Sequence, residues 1–472
     1  MIFPPHAPVR GGAPQSPSGA APAPRASSWL PVAGAAALYA LATPFVLRPW
    51  FVARDLLPHS PGAIGTMVDA DLFLNVWILA WIAHAALTDP ARLYDGNIFH
   101  PAANTIAGSE NMLAHLPFTA PALALTGNAL VMLKVYVLEC FVLSGVAMFL
   151  FVRHHTRSNA AALLGGAAFT FTFFRASTIP QPQYLGIQFL PLALLCVDLW
   201  LEQRRARWLA GLALAIGLQA LSCVYIGFFT LVVVPVYAAV RLLDVRERRG
   251  AAAAGLAGAF ACGVAASFPV ALPYLRARAE GMIPRHDPAM IRWFSWQPWE
   301  YFSRGFLERA GLVPVALVAT DLLLRLARRL RGAAAAREPS RSVERALWAV
   351  AATGVVLSAG PTLELAGLSI PLPYRALYEL VPGFASIRVP IRFAIVVAAA
   401  LAALAHAAGD EHHDEHDERY EVGDLREPVP CVGERRGDHP FAADRSQRPR
   451  QVKHTMSTSM TTCERVASRW LP

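Results

Sequence analysis

Hydrophobic residues run through this chain in long, nearly unbroken blocks, without the periodic polar positions of a helix half-exposed to water. A membrane core of about 30 Å takes roughly 20 residues of helix. On that measure the blocks at 29–50, 128–152, 159–175, 184–201, 208–222, 226–241, 251–275, 312–325, 346–360 and 391–408 each predict a span. The pattern predicts an all-α, polytopic integral membrane protein with about ten transmembrane helices. Residues 51–127 break the pattern and read as a long first outer loop carrying interfacial helices. Within it, "DLFLNVWILAWIAHAAL" (71–87) is apolar enough to cross, but crossing would invert every later loop. It is predicted to lie along the outer interface, with Trp77 and Trp81 four residues apart on one face.

The two ends lack any apolar period. Residues 1–28, rich in Pro, Ala, Gly and Ser, read as a disordered cytoplasmic tail ahead of a membrane domain at 29–409. From 410 to 472 the chain turns abruptly polar. That segment reads either as a disordered cytoplasmic tail or as the product of a reading frame lost near residue 409, so its "HHDEH" (412–416) is assigned no metal.

Charge then orients the spans. Lys and Arg total 42 against 33 Asp and Glu, a net charge of +9. Arginine is densest in the short loops 153–158, 202–207, 242–250 and 326–345. The longer alternating loops 51–127, 276–311 and 361–390 are sparser in basic residues, as is the short turn 176–183. Short, basic loops belong in the cytoplasm, which puts the N-terminus inside and makes the net charge a topology signal. No nucleic-acid partner is needed to explain it. The six cysteines include no CxxC spacing, so neither a zinc site nor a disulfide framework is indicated.

A few polar groups stand against this background. Asp69 and Asp71 sit one residue apart at the lip of an apolar run. Such a pair either holds a divalent cation, Mg²⁺ or Mn²⁺, through hard oxygen ligands, or supplies a general base, or merely caps the following helix. Glu110 is the second acid of that loop and reads either as a further acidic contact or as a group beside a helix dipole. His100 and His115 flank it. Outer arginines have no topological reason to be there. Arg388 and Arg392, four apart in "SIRVPIR" with Pro390 between them, suit a phosphate; Arg375 is a weaker candidate, and contact with anionic headgroups is the alternative. Lys134 and Glu139 are ionisable residues inside a predicted span. Gln181, Gln183 and Tyr184 in "STIPQPQYLG", with Tyr225 in "SCVYIG", read as ordinary turn residues or as contacts to sugar hydroxyls.

The run "VDADLFLNVWILAWIAHAALTDPARLYDGNIFHPAANTIAGSENMLAHLPFTAPALALTGNAL" resembles the first outer loop of the GT-C membrane glycosyltransferases, above all a large, poorly characterised bacterial branch. The order is an acidic pair, a Trp-rich helix, "DP", "IFHP", "SE" and a Pro-broken apolar stretch. "LSCVYIGFF" and "LPYRALYELVPGFASIRVPIRF" are similar to that branch as well. The resemblance implies an enzyme of the bacterial cytoplasmic membrane that moves a sugar from a polyprenyl-phosphate donor to an acceptor on the outer face. It assigns the catalytic carboxylate to Asp71 or Asp69, with Asp71 preferred. Glu110 would assist, Arg388, Arg392 and Arg375 would bind donor phosphate, and His115, Gln183 and Tyr225 would make weaker substrate contacts. A transporter or flippase for a lipid-linked or anionic substrate is the alternative reading, and an inactive, truncated relative is another.

Overall fold

The computed structural model describes residues 29–51, 67–303, 315–316, 318–320, 323, 341–365 and 367–405. Both tails, and nearly all of the span expected at 312–325, lie outside them. The described residues are mostly helical, 77% of them. Helices α1 (Leu30–Val46) and α2 (Arg48–Phe51) precede α3 (Met67–Thr88). After a long connection come α4 (Leu116–Thr126), α5 (Ala129–Thr156), α6 (Asn159–Thr170) and α7 (Phe173–Ser177). Next are α8 (Phe189–Gln203), α9 (Ala206–Ser222), α10 (Val224–Leu242), α11 (Arg249–Ala266), α12 (Phe268–Ala279) and α13 (Pro288–Trp293). The last described part holds α14 (Arg341–Ser358), a hairpin of β1 (Thr362–Leu365) and β2 (Leu368–Pro371), α15 (Pro373–Leu380) and α16 (Ala394–Leu404).

Six helical stretches among the described residues are long and apolar enough to cross a membrane: Ala70–Thr88, Ala129–Thr156, Asn159–Ser177, Pro182–Gln203, Val224–Leu242 and Arg249–Ala266. Four shorter apolar helices accompany them: Leu30–Val46, Leu113–Thr126, Ala206–Ser222 and Pro390–Leu404. This architecture fits a multi-pass membrane protein. Helix α3, expected to lie flat in the interface, passes the same test of length and apolarity as the other five. It buries Leu72, Leu79 and Ile82 in a core shared with α4 and the first half of α5. Along its other side runs the polar connection that follows it. Trp77 Nε1 donates to Asn97 Oδ1 and Trp81 Nε1 to the Leu93 carbonyl, both at 3.0 Å.

Local chemistry sets the helix ends. Asn128 caps α5, accepting from the N–H groups of Leu130 and Val131 at 2.8 and 3.2 Å. No proline interrupts the 28 residues that follow, so α5 extends about 42 Å and joins two cores. Its first half packs with α3 and α4, and its second half packs with α6 and α8. It stops at Arg157, whose φ of 60° turns the chain left-handed; Arg204 (φ 54°) does the same after α8. Glycine would make this turn at lower conformational cost. Arginine instead leaves a cation beside the last carbonyls of the helix. Where α1 crosses α5 and α6 the contact is too close for any side chain but hydrogen: a Cβ on Gly166 would fall 2.1 Å from Tyr39 Oη.

At the arginine-rich end of the bundle, Asp198 of α8 is wholly buried and fully engaged. Arg241 Nε and Tyr237 Oη of α10 each donate to it at 2.6 Å, and His155 Nε2 of α5 lies 3.0 Å away. Arg241 continues to Ser342 of α14, which donates to Asp244; Arg345 also pairs with Asp244, at 2.5 Å. Ser342 and Arg345 hold the Asp244 carboxyl below the ordinary range.

Helix α16 lies at the centre, with nearly every residue buried against α14, α6 and α5. Together with the 3₁₀ turn Pro390–Phe393 before it, this makes 15 residues, about 22 Å. That is well short of a membrane core, and the site described next is built around its N-terminal end.

Candidate functional site

A cavity of about 460 Å³ opens at the start of α16, within the usual size range for small-ligand sites. Arg388, Val389, Ile391, Arg392 and Ile395 line it on one side. Phe174, Ser177, Thr178, Gln181 and Tyr184 line it from the α7–α8 connection, with Ile226 of α10 and Phe294 after α13.

Arg392 is its organising residue. One Nη2–H donates to Gln181 Oε1 at 2.8 Å, and the guanidinium stacks 3.7 Å from the Tyr184 ring centre and 5.1 Å from that of Tyr225. Among the described residues no carboxylate lies within ion-pair distance of it. The amide of Gln181 turns its other end to Asp71, donating Nε2–H to Oδ2 at 2.7 Å. Carboxylate and guanidinium are thus aligned on one amide without touching, so each keeps capacity for a further partner.

Tyr225 is fixed by its hydroxyl, which donates to the Val389 carbonyl at 3.0 Å and accepts from the Val389 N–H at 2.9 Å. That pair of hydrogen bonds pins the α9–α10 corner to the extended segment before α16. On the other side of the corner, Glu110 caps α10. Its Oε2 accepts from the Val224 N–H at 2.5 Å and its Oε1 from the Tyr225 N–H at 3.2 Å. Burial pushes the Glu110 carboxyl up to about 7, against the two N–H groups and the charge of Arg392, which hold it down. Asn111 secures the same loop, donating to the Ala220 carbonyl at 3.1 Å. Met112, next in the chain, is held at φ 49°, a conformation costly for a side chain of this kind.

The candidates separate accordingly. Arg392 lines the cavity, with Asp71 joined to it through Gln181 and Tyr225 beside its guanidinium; Arg388 also lines it, exposed, over the Phe294 ring at 5.9 Å, and Glu110 supports the α9–α10 corner behind it. Arg375 is exposed on α15 and does not line it. Gln183 points inward, buried, with its Oε1 unpartnered; Gln181 and Tyr184 are the residues of that turn that line the cavity. His115 is buried between Glu139 and Ser222. The Asp69 side chain lies outside the described residues.

Two cation sites can be tested on their donors. Near the cavity the described residues offer Asp71 alone, since both Glu110 oxygens are taken by backbone N–H groups, so a two-aspartate site would rest on Asp69. The ligating atoms of His115, Glu139 and Cys140 fall within 4.8 Å of one another. Protein partners at 2.7 and 2.8 Å, however, occupy both ring nitrogens, which leaves none free for a metal.

Sequence reasoning passed over Phe294, which enters the cavity through backbone pairing of its carbonyl with the Ile391 N–H at 3.1 Å. It also passed over Arg175, buried with Nε and Nη1 unpartnered, its Nη2 held by the Cys140 carbonyl and Ser144. An arginine near the end of an apolar run was the available signal. No protein-family model matches the chain, and no curated protein matches it.

Proposed function

We propose that this chain is a multi-pass membrane glycosyltransferase of the GT-C type, using a polyprenyl-phosphate sugar and an acceptor on the outer face of a bacterial cytoplasmic membrane. The observation that carries the reading is the Asp71–Gln181–Arg392 alignment beside a 460 Å³ cavity. Arg392, with Arg388, binds the donor phosphate, for which a guanidinium is the preferred partner. The Tyr184 and Tyr225 rings hold that guanidinium in place by cation–π attraction. Asp71 takes the acceptor hydroxyl proton as the acceptor oxygen bonds to the anomeric carbon. The bond from that carbon to phosphate oxygen breaks, and the charge left on the polyprenyl phosphate is met by the two arginines. If Asp69 joins Asp71, the pair admits Mg²⁺ or Mn²⁺.

The test is sugar transfer in sealed vesicles of both orientations, with labelled polyprenyl-phosphate sugars. Wild type, Asp71→Asn, Asp69→Asn and Arg392→Gln are compared. Transfer at one face that collapses in Asp71→Asn or Asp69→Asn supports the reading and says which carboxylate acts. Transfer indifferent to all three substitutions removes it. A transporter is the second reading, favoured by ionisable groups buried within the spans, notably Arg175 and Glu139. Substrate-dependent accessibility from both faces without transfer would select it.

A further inference from the structure

Behind the α9–α10 corner lies a titratable cluster that the transfer chemistry does not use, and its hydrogens can be counted. His115 Nε2 is 2.8 Å from Ser222 Oγ, and Nδ1 is 2.7 Å from Glu139 Oε1. Ser222 Oγ is also 2.9 Å from the Gly186 carbonyl oxygen, which accepts from Gln219 Nε2 at 2.7 Å as well. A carbonyl has no hydrogen to give, so the single proton of Ser222 lies toward Gly186. The 2.8 Å contact to His115 then needs a proton on Nε2. With Nε2 protonated, the 2.7 Å contact to Glu139 needs one more, on Nδ1 or on Oε1. The pair therefore holds one proton beyond those of a neutral imidazole and a carboxylate, and carries no net charge.

The surroundings suit that count. Ser222 and His115 are wholly buried and Glu139 is 7% exposed, with its Oε2 unpartnered. A bare oxygen is less costly on a neutral acid than on a carboxylate. The groups facing the pair are few. Helix α5 presents the edge of Tyr136, its ring centre 4.7 Å from that of His115, and Cys140, whose Sγ is 3.9 Å from Nδ1. Cys223 stands at the start of α10, Gln219 on α9 is committed to Gly186, and Arg175 of α7 is turned to the Cys140 carbonyl and Ser144. The site is also sterically built: a Cβ on Gly186 would fall 2.1 Å from Ser222 Oγ and 2.8 Å from His115 Nε2.

We propose that His115, Glu139 and Ser222 form a proton-binding site inside the membrane domain, with one exchangeable proton held between Nδ1 and Oε1. In the loaded state three protons sit on Ser222 Oγ, on Nε2, and between Nδ1 and Oε1. Release of one to solvent leaves two. The ring proton then resides on Nδ1, donating to the carboxylate, and Ser222 turns its hydroxyl to Nε2. Its contact with Gly186 is left without a hydrogen, and Gln219 is then the remaining side-chain donor to the Gly186 carbonyl, two residues beyond the turn that carries Gln181 and Tyr184 into the cavity. Loading is thereby coupled to the cavity wall, whatever the cavity binds.

The experiment uses the full chain in lipid nanodiscs with ¹⁵N-labelled histidine, and His115→Gln identifies the His115 signals by subtraction. The expected result is a protonated Nε2 from about pH 6 to 8, where an ordinary histidine titrates. Nδ1 is then either protonated or an acceptor from a neutral acid, whose infrared carboxyl band disappears in Glu139→Gln. In that variant the glutamine amide donates to Nδ1 and Nε2 stays protonated. A wild-type spectrum that keeps Nδ1–H with a bare Nε2 at every pH the folded chain withstands would overturn the proposal, because Ser222 would then always be donating to the ring and no extra proton would ever be held. That spectrum decides the matter even if Glu139→Gln fails to fold.

Discussion

Helix α10 carries a polar cluster at each end, and the two are built on opposite principles. Near its C-terminal end, Arg241 and Tyr237 contact Asp198 directly, at 2.6 Å each, with His155 closing the group. Both Asp198 oxygens are spoken for. At its N-terminal end, the Tyr225 ring centre lies 5.1 Å from the Arg392 guanidinium, which a glutamine separates from the Asp71 carboxylate; guanidinium and glutamine both line a cavity of 460 Å³. A saturated cluster can only hold the bundle together. A cluster whose opposite charges are kept apart by a neutral spacer retains the ability to bind something between them.

The largest test of that contrast is Asp198→Ala. It strands the Arg241 guanidinium, and breaking a buried pair from one side costs about 3–5 kcal/mol. Denaturant unfolding in micelles would measure the loss; a change below about 1 kcal/mol would mean that the cluster does not lock the bundle. Arg392→Gln comes next. It should lower transfer by about 100-fold or more while leaving unfolding nearly unchanged, and Arg392→Lys should restore only part, because lysine lacks the planar fork. Equal losses in activity and stability would erase the distinction between the two ends.

Glu110 sharpens the contrast through pH. Burial raises its carboxyl from 4.5 to about 7 in the folded chain. The folded state therefore keeps a proton that the unfolded state releases. This stability is fully present below about pH 4.5 and is lost as pH rises to about 7, a change on the order of 2–3 kcal/mol. Glu110→Gln should flatten that slope in unfolding measured across pH. The smallest effect belongs to Arg292→Ala. Its 2.9 Å pair with Glu364 on the β1–β2 hairpin is half exposed on both sides and should contribute less than about 1 kcal/mol by the same measurement.

The groups that stand out in the sequence do so for one reason: each is polar in an apolar neighbourhood. Asp71, Glu110, Tyr225 and Arg392 are of this kind, and they gather around one corner. Their partners are not legible, because a bond between residues 110 or 211 positions apart leaves no local trace. Nor is it visible that Gln181 reaches the cavity while Gln183, two residues on, is buried; the 3₁₀ turn at Pro182–Tyr184 decides that. Asp198, inside "LALLCVDLWL", is as visible by the polar-in-apolar rule as Glu139. Hydropathy is equally silent on α3, since an interfacial helix and a span of this composition read alike. The connection at 89–105, folded along its tryptophans, is a tertiary fact.

The route by which Gln181 meets Arg392 also sets an order of events during biosynthesis. The two are separated by 211 residues, which at ordinary translation rates of about 5–20 residues per second amounts to roughly 10–40 s. Through that interval Asp71, Gln181 and Tyr225 have already been made and lack their cation. The central helix that supplies it arrives among neighbours synthesised long before. The arginine side of the cavity is therefore the last part of the described bundle to be completed, and a ribosome stalled before residue 388 would leave a helical assembly with Asp71 and Gln181 in place and no guanidinium to face them.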